Sequence, residues 1–267
     1  MLPQFPLNTF PAVFEPPPLQ KPVLYTYGPG WKNQVPSFDP DCLKWQAFLT
    51  FCGVDFDLNN CNEPLTSPSG KLPFLVMPTG ETLYDDQITP WLEKIGFEKK
   101  LARDAENAES TAFISLAETK LRTAFLFSFF LEPLNVTEST GAKYFGHYST
   151  PINAIIQYQK KNAIIQRMLA KRAFLVRDEV YQDAADALLS FSTKLGDNEF
   201  FFGSSYPTFL DATVFAYLHT ILAAPQSTST EGASDATRLR ELVLKHNNLV
   251  NYAKNIYKAW WVADKDN

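Results

Sequence analysis

The chain has 267 residues, 45% of them hydrophobic, and a formal net charge of −5 from 24 Lys and Arg against 29 Asp and Glu. That is length enough for a sizeable core, and no segment concentrates the cations needed to neutralise a row of phosphates, so nucleic acid is an unsuitable partner. The strongest apolar run, Ala124 to Leu131, is far shorter than the ~20 residues of a bilayer-spanning helix.

The first 21 residues form a proline-rich arm. Pro3, Pro6, Pro11, Pro16, Pro17 and Pro18 exclude a helix or a paired central strand and favour an extended chain. Phe5, Phe10 and Phe14 punctuate the arm, which a mere spacer does not require; they are the candidate partner-binding residues. The arm lacks the basic and apolar regions of a secretory leader.

From 22 to 97 the pattern alternates. Val23 to Tyr27 reads as a strand, broken by Gly28-Pro29-Gly30. Asp39 then precedes Pro40, a favoured N-cap and first-turn pair, and Cys42, Trp45, Leu49 and Cys52 recur at helical spacing until Gly53. Val54 to Leu58 is expected as a second strand, with Lys71 to Val76 and Glu81 to Tyr84 forming a hairpin around Thr79-Gly80. Asp85 and Asp86 open a short helix. The order βαββα implies a small sheet with helices on both faces.

From 98 to 267 the pattern is helical. Helices are expected over 98 to 131, over 152 to 174 with Ile155, Ile156, Ile164, Ile165, Met168 and Leu169 inward, and over 178 to 195. Others are expected over 207 to 222, 237 to 245 and 248 to 261, with loops at 135 to 150 and 223 to 235. Thr208 followed three residues later by Asp211 is a capping pair at the start of an almost wholly apolar helix.

Chemistry is sparse. Cys42, Cys52 and Cys61 have no neighbouring His and no zinc-site spacing, and His147, His219 and His246 are scattered. No metal, cofactor or catalytic residue is expected, and the odd cysteine count fits a reducing compartment. Cys42 and Cys52 read as small buried hydrophobes. Phe125, Phe127, Phe129 and Phe130 are candidates for either the core or a partner surface.

Strand, loop, Pro and helix, the Leu72-Pro73 before the third strand, and the Thr208-x-x-Asp211 cap together resemble the glutathione-transferase fold: a thioredoxin-like N-terminal domain followed by an all-helical domain. Within it, Cys42-Leu43-Lys44-Trp45-Gln46-Ala47-Phe48-Leu49 and Leu210-Asp211-Ala212-Thr213-Val214-Phe215-Ala216-Tyr217-Leu218 are most similar to metaxins. The resemblance implies a cis peptide bond before Pro73, making Pro73, Thr208 and Asp211 structural residues. It also implies a peripheral, non-enzymatic subunit on the cytosolic face of the mitochondrial outer membrane. Such a subunit, like the smaller metaxin-type member of a fungal sorting and assembly machinery, would bind the membrane barrel subunit, a second metaxin-like subunit and β-barrel precursors.

Two rivals stand beside that expectation. In a working transferase the residue before the proline supplies a Cys, Ser or Tyr, and Asp39 cannot act as that nucleophile, although Tyr25, Tyr27 or Ser37 offers a hydroxyl nearby. Transferases also place an acidic residue and a Ser where this chain has Asp85-Asp86, and the second carboxylate would repel a ligand carboxylate by about 1–4 kcal/mol. The other rival is a cytosolic docking module of the same fold.

Overall fold

Strand β1 (Val23–Thr26) lies inside a four-stranded sheet of order β2-β1-β3-β4. The computed structural model describes residues 18–97, 99–170, 174–226 and 233–262. Strand β2 (Asp57–Asn60) runs parallel to β1, Val23 facing Asp57, whereas β3 (Phe74–Val76) is antiparallel to β1 and pairs with β4 (Thr82–Leu83). Leu24 and Leu75, opposite one another, are fully buried.

Helix α1 (Pro40–Phe51) begins at Asp39, whose Oδ1 accepts the Cys42 amide at 3.0 Å. Its far end closes through the amides of Gly53 and Val54, bonded back to Thr50 and Leu49, with Gly53 at φ +73°. A left-handed residue is needed there, and glycine adopts it without strain. That closure consumes Val54, so the second strand starts at Asp57 rather than at the expected Val54. Helix α2 (Asp85–Lys94) completes the βαββα unit.

The remainder is helical: α3 (Asp104–Leu116), a π-helical turn (Ala117–Leu121), α4 (Arg122–Phe130), the short α5 (Pro133–Asn135), a second π turn (Val136–Thr140) and α6 (Gly141–Phe145). Helices α7 (Ile152–Leu169), α8 (Arg177–Leu195), α9 (Phe209–Ala223), α10 (Ala233–Leu244) and α11 (Asn247–Tyr257) follow, the last running into a π turn over Lys258–Val262. The fold is thus thioredoxin-like at its N-terminal end and all-α thereafter, as expected.

Helix α9 is central. It packs along α1, with Phe209 against Trp45 and Phe48 at ring separations of 5.0 and 4.9 Å. Because α1 is covered on all sides it buries Lys44 and Gln46 as well as its apolar residues. At the start of α9, Asp211 Oδ2 accepts the Thr208 amide and hydroxyl, each at 2.8 Å, while Oδ1 accepts the Phe201 amide and the Tyr252 hydroxyl. This fully buried carboxylate ties α9, the 201 turn and α11 together.

Three expectations need correction. The long helix starts at Asp104, because Asn107 accepts the Leu101 amide and donates to the Leu101 carbonyl, holding the lead-in non-helical. The stretch expected as a loop over 135 to 150 carries the second π turn and α6. Helix α7 ends at Leu169 and buries only Ile164 and Met168; Ile155 is 54% exposed and Leu169 38%.

Candidate functional site

The residues at the mouth of α1 decide what this scaffold can do chemically. An α-helix N-terminus presents unpaired amides and a partial positive charge, the setting in which a transferase stabilises a thiolate. Here that end already holds an anion. Asp39 Oδ1 takes the Cys42 amide, Oδ2 accepts the Tyr144 hydroxyl at 2.8 Å, and the Asp39 amide donates to Ser37 Oγ.

The Ser37 hydroxyl and the Cys42 sulfur are already engaged, the sulfur accepting the Tyr27 amide at 3.4 Å. Ser37 is buried and its hydroxyl donates to the Tyr27 carbonyl. Tyr25 stacks on Phe74 at 4.6 Å with 8° between ring planes. Burial, reinforced by the Asp39 charge, raises the pKa values of Tyr27, Tyr144 and Cys42 far above their ordinary values. Each is therefore neutral at physiological pH, the opposite of an activated nucleophile.

Helix α6 reinforces the closure. Lys143 Nζ donates to the Pro29 and Gly30 carbonyls at 3.1 and 3.0 Å and lies over the Trp31 and Phe38 rings. Tyr144 meets Phe38 edge-on at 4.8 Å and Tyr27 at 5.0 Å. Gly30 is compulsory in this loop, since a Cβ there would lie 2.0 Å from the Pro36 carbonyl oxygen. Sequence reasoning missed Tyr144 because it sits in a five-residue helix too short to show apolar periodicity.

Beside this mouth opens a cleft of about 470 Å³, lined among others by Asp39, Asp41, Pro73, Asp85, Asp86, Arg122 and Arg167. The Leu72–Pro73 bond is cis, and Pro73 lies on the cleft wall. Four carboxylates, those of Asp39, Asp41, Asp85 and Asp86, line this cleft and make it unfavourable for an anionic ligand group. Asp85 is engaged by the Trp45 indole N–H and faces Lys44 Nζ at 3.6 Å.

Lys44 and Arg122 join the two halves of the molecule. Lys44, with a side chain 6% exposed, pairs with Glu118 at 2.8 Å, and Arg122 pairs with Asp41 at 2.5 Å. Desolvation pulls the Lys44 ammonium down, but Asp85, Asp41 and Glu118 outweigh it and hold its pKa above the ordinary lysine value. Glu118 lies in the π turn and Arg122 directly after it, so the register shift at 117–121 sets where both meet α1.

Of the sequence candidates, Phe5, Phe10 and Phe14 lie outside the described residues. Phe125, Phe127, Phe129 and Phe130 are all buried, at 8% exposure or less, so they belong to the core and form no partner surface. Phe125 stacks on Phe129 at 4.2 Å, and Phe130 packs on Tyr144 at 5.0 Å. No group of three or more potential metal ligands occurs among the described residues.

Comparison with known proteins fits this geometry. A family profile described as "Glutathione S-transferase N-terminal domain" matches residues 40–135, and one described as "Glutathione S-transferase, C-terminal domain" matches residues 184–256. Metaxin-3 of Xenopus laevis is 28% identical over 249 residues, 90% of this chain and 77% of its own length. Metaxin-2 of Mus musculus is 31% identical over 222 residues, 82% of this chain and 81% of its own. The chain belongs to the metaxin family. Among solved structures, this metaxin-family chain is similar in fold to a glutathione S-transferase from Methylobacterium radiotolerans in complex with glutathione sulfonate. The TM-score is 0.53 at 16% identity, covering 91% of this chain and 93% of the other. A beta-etherase from Sphingobium gives 0.54 at 14% identity, covering 90% and 100%. The metaxin-family chain therefore has the transferase architecture with the mouth of α1 closed by its own side chains.

Proposed function

We propose that this metaxin-family chain is a non-enzymatic subunit of the mitochondrial outer-membrane sorting and assembly machinery. It binds the membrane barrel subunit from the cytosolic side, pairs with a second metaxin-like subunit, and assists recognition and insertion of β-barrel precursors. The observation that carries the non-enzymatic part is the Asp39 carboxylate seated on the α1 N-terminus and tied to Tyr144. A glutathione thiolate there would meet a fixed negative charge instead of a free helix end.

Membership among the metaxins supports the cellular role. The peripheral attachment is supported by hydropathy: among the described residues no helix is long and apolar enough to cross a membrane. The proline-rich arm, residues 1–21, remains the proposed partner element, with the thioredoxin-like unit at 22–97 and the helical unit at 98–267 as the body. Purification of the tagged chain from mitochondria tests the reading. Recovery of an outer-membrane barrel subunit and a second metaxin-like chain is the expected result, weakened when residues 1–20 are deleted. A tagged chain that stays wholly soluble and brings neither would favour a cytosolic docking module instead.

A further inference from the structure

Helix α7 is held to the body more thinly than its length requires. Of its 18 residues only Ile164 and Met168 are buried, whereas α8 buries seven of 19. Lys160 and Arg167 lie within roughly 60° of Ile164 around the helix, so they face inward, yet both are exposed. The reason is open space beneath them. Both line the cleft of about 470 Å³ beside the mouth of α1. Arg167 and Met168 also line a second cavity of about 640 Å³, together with Thr111, Ser115 and Thr123 of α3 and α4. Arg122 and Arg167 are common to both cavities, so the two adjoin under α7.

The charges around this space are unevenly satisfied. Asp39 holds the Cys42 amide and the Tyr144 hydroxyl, and Asp41 holds Arg122. At the start of α2, Asp86 is exposed and unpaired among the described residues. Asp85 keeps a side chain 71% exposed while it takes the Trp45 indole N–H and faces Lys44. On the α7 side, Lys160 and Arg167 have no ion pair or hydrogen bond among the described residues. Lys71 lines the cleft too, but it belongs to the same half as the carboxylates and cannot draw α7 across. Two open carboxylates and two open cations thus border one solvent-filled cleft from different halves of the molecule.

We propose that α7 is an electrostatic strap, which closes over the cleft beside the mouth of α1 when Lys160 and Arg167 engage Asp85 and Asp86. Closure costs little desolvation, because all four groups remain at the rim, and it gains two ion pairs of ordinary surface strength. The same modest strength makes the strap reversible, so the structure with its open cleft and a closed state differ by little free energy. Few packing contacts oppose the movement: Ile164 and Met168 anchor one half of the helix, and Tyr148, just before it, is tied to Glu63 by its hydroxyl at 2.7 Å. Asp39 and Tyr144 shut the helix end from within, and α7 would control entry to the remaining space from outside. The inference concerns access to the cleft and does not depend on the proposed cellular role.

Pulsed dipolar spectroscopy on the purified full chain tests it, with spin labels on Gln159→Cys in α7 and Pro90→Cys in α2. Both positions are exposed, and Cys61→Ser removes the one native cysteine that is not buried. A short-distance population is expected at low salt. It should shrink at 1 M salt, where the screening length falls to about 3 Å from about 10 Å at 0.1 M. Lys160→Gln and Arg167→Gln should each move the open-to-closed ratio about two- to fivefold, and about tenfold together. Lys160→Glu should abolish the short population, and adding Asp86→Lys should restore it. The same distance distribution at both ionic strengths overturns the strap. So does a salt response that persists in the Lys160→Gln, Arg167→Gln double variant, or a charge reversal that Asp86→Lys does not rescue. The measurement uses the isolated chain, so its failure leaves co-purification with a barrel subunit as a separate reading.

Discussion

Tyr144 donates its hydroxyl to Asp39 Oδ2 at 2.8 Å although 105 residues separate them. The bond pins α6 over the start of α1 and satisfies the second oxygen of a carboxylate whose first oxygen caps the helix. A side chain from the helical half thus completes a cap in the thioredoxin-like half.

Asp39→Ala should lower stability by about 1–2 kcal/mol, the ordinary cost of a lost N-cap increased by the orphaned Tyr144 hydroxyl. Asp39→Ser should recover most of the loss, because the serine oxygen still reaches the Cys42 amide. Neither variant should conjugate glutathione. Chemical denaturation with a conjugation assay on the same samples checks both statements; turnover by the Ser variant would mean that the closure by Tyr144 and Lys143 is immaterial.

Lys44→Met keeps the packed stem and removes the charge. Glu118 and Asp85 can still reach water, their side chains being 35% and 71% exposed, so the cost should be about 1–3 kcal/mol, below that of a fully buried broken pair. The folded-state pKa of Lys44 is raised, so its contribution is fully present below the lysine value near 10.5 and is lost as pH rises through the folded pKa. Wild-type stability should fall more steeply than that of the variant above about pH 10.5. Parallel melts from pH 8 to 11 that stay equidistant would contradict the pairing.

Asp211→Ala should cost more than about 4 kcal/mol, since it strands the buried Phe201 and Thr208 amides and the Tyr252 hydroxyl together. Asp211→Asn retains an acceptor oxygen and should cost less. A loss under 1 kcal/mol for the alanine variant, read from urea midpoints, would refute the role given to this carboxylate.

His219 stacks between Phe215 at 5.3 Å and Tyr257 at 5.0 Å, and burial lowers its pKa to about 4. The unfolded chain binds this proton near pH 6.5, so between about 6.5 and 4 the unfolded state holds more protons and stability falls on acidification. The loss should be about 2 kcal/mol, reduced from the full shift because the ring is partly open to solvent. His219→Phe keeps the stack and should flatten stability across that interval; an unchanged acid slope would assign the loss to other groups.

The broad plan was legible because it rests on strong local signals. Pro40 after Asp39, Gly53 at a left-handed φ, and Thr208 with Asp211 mark helix ends by chemistry that does not depend on tertiary context. Boundaries set by tertiary bonds were not legible: Asn107 holding Leu101 delays α3, and no local pattern announces it. The Phe cluster from 125 to 130 was readable as core or surface, and only packing on Phe129, Tyr217 and Tyr144 resolved it. The isoleucines of α7 misled in the opposite direction, since apolar periodicity says that a stripe exists and not what covers it. The closure by Tyr144 depended on a contact across 105 residues, which spacing cannot reveal.

Titration of glutathione into the purified full chain by calorimetry, with a thiol-conjugation assay on the same preparation, tests most directly whether the mouth of α1 is chemically closed. Neither saturable heat nor turnover should appear, because Asp39 and Tyr144 already occupy the helix end. Stoichiometric binding accompanied by catalytic conjugation would contradict this and return the chain to the working transferases.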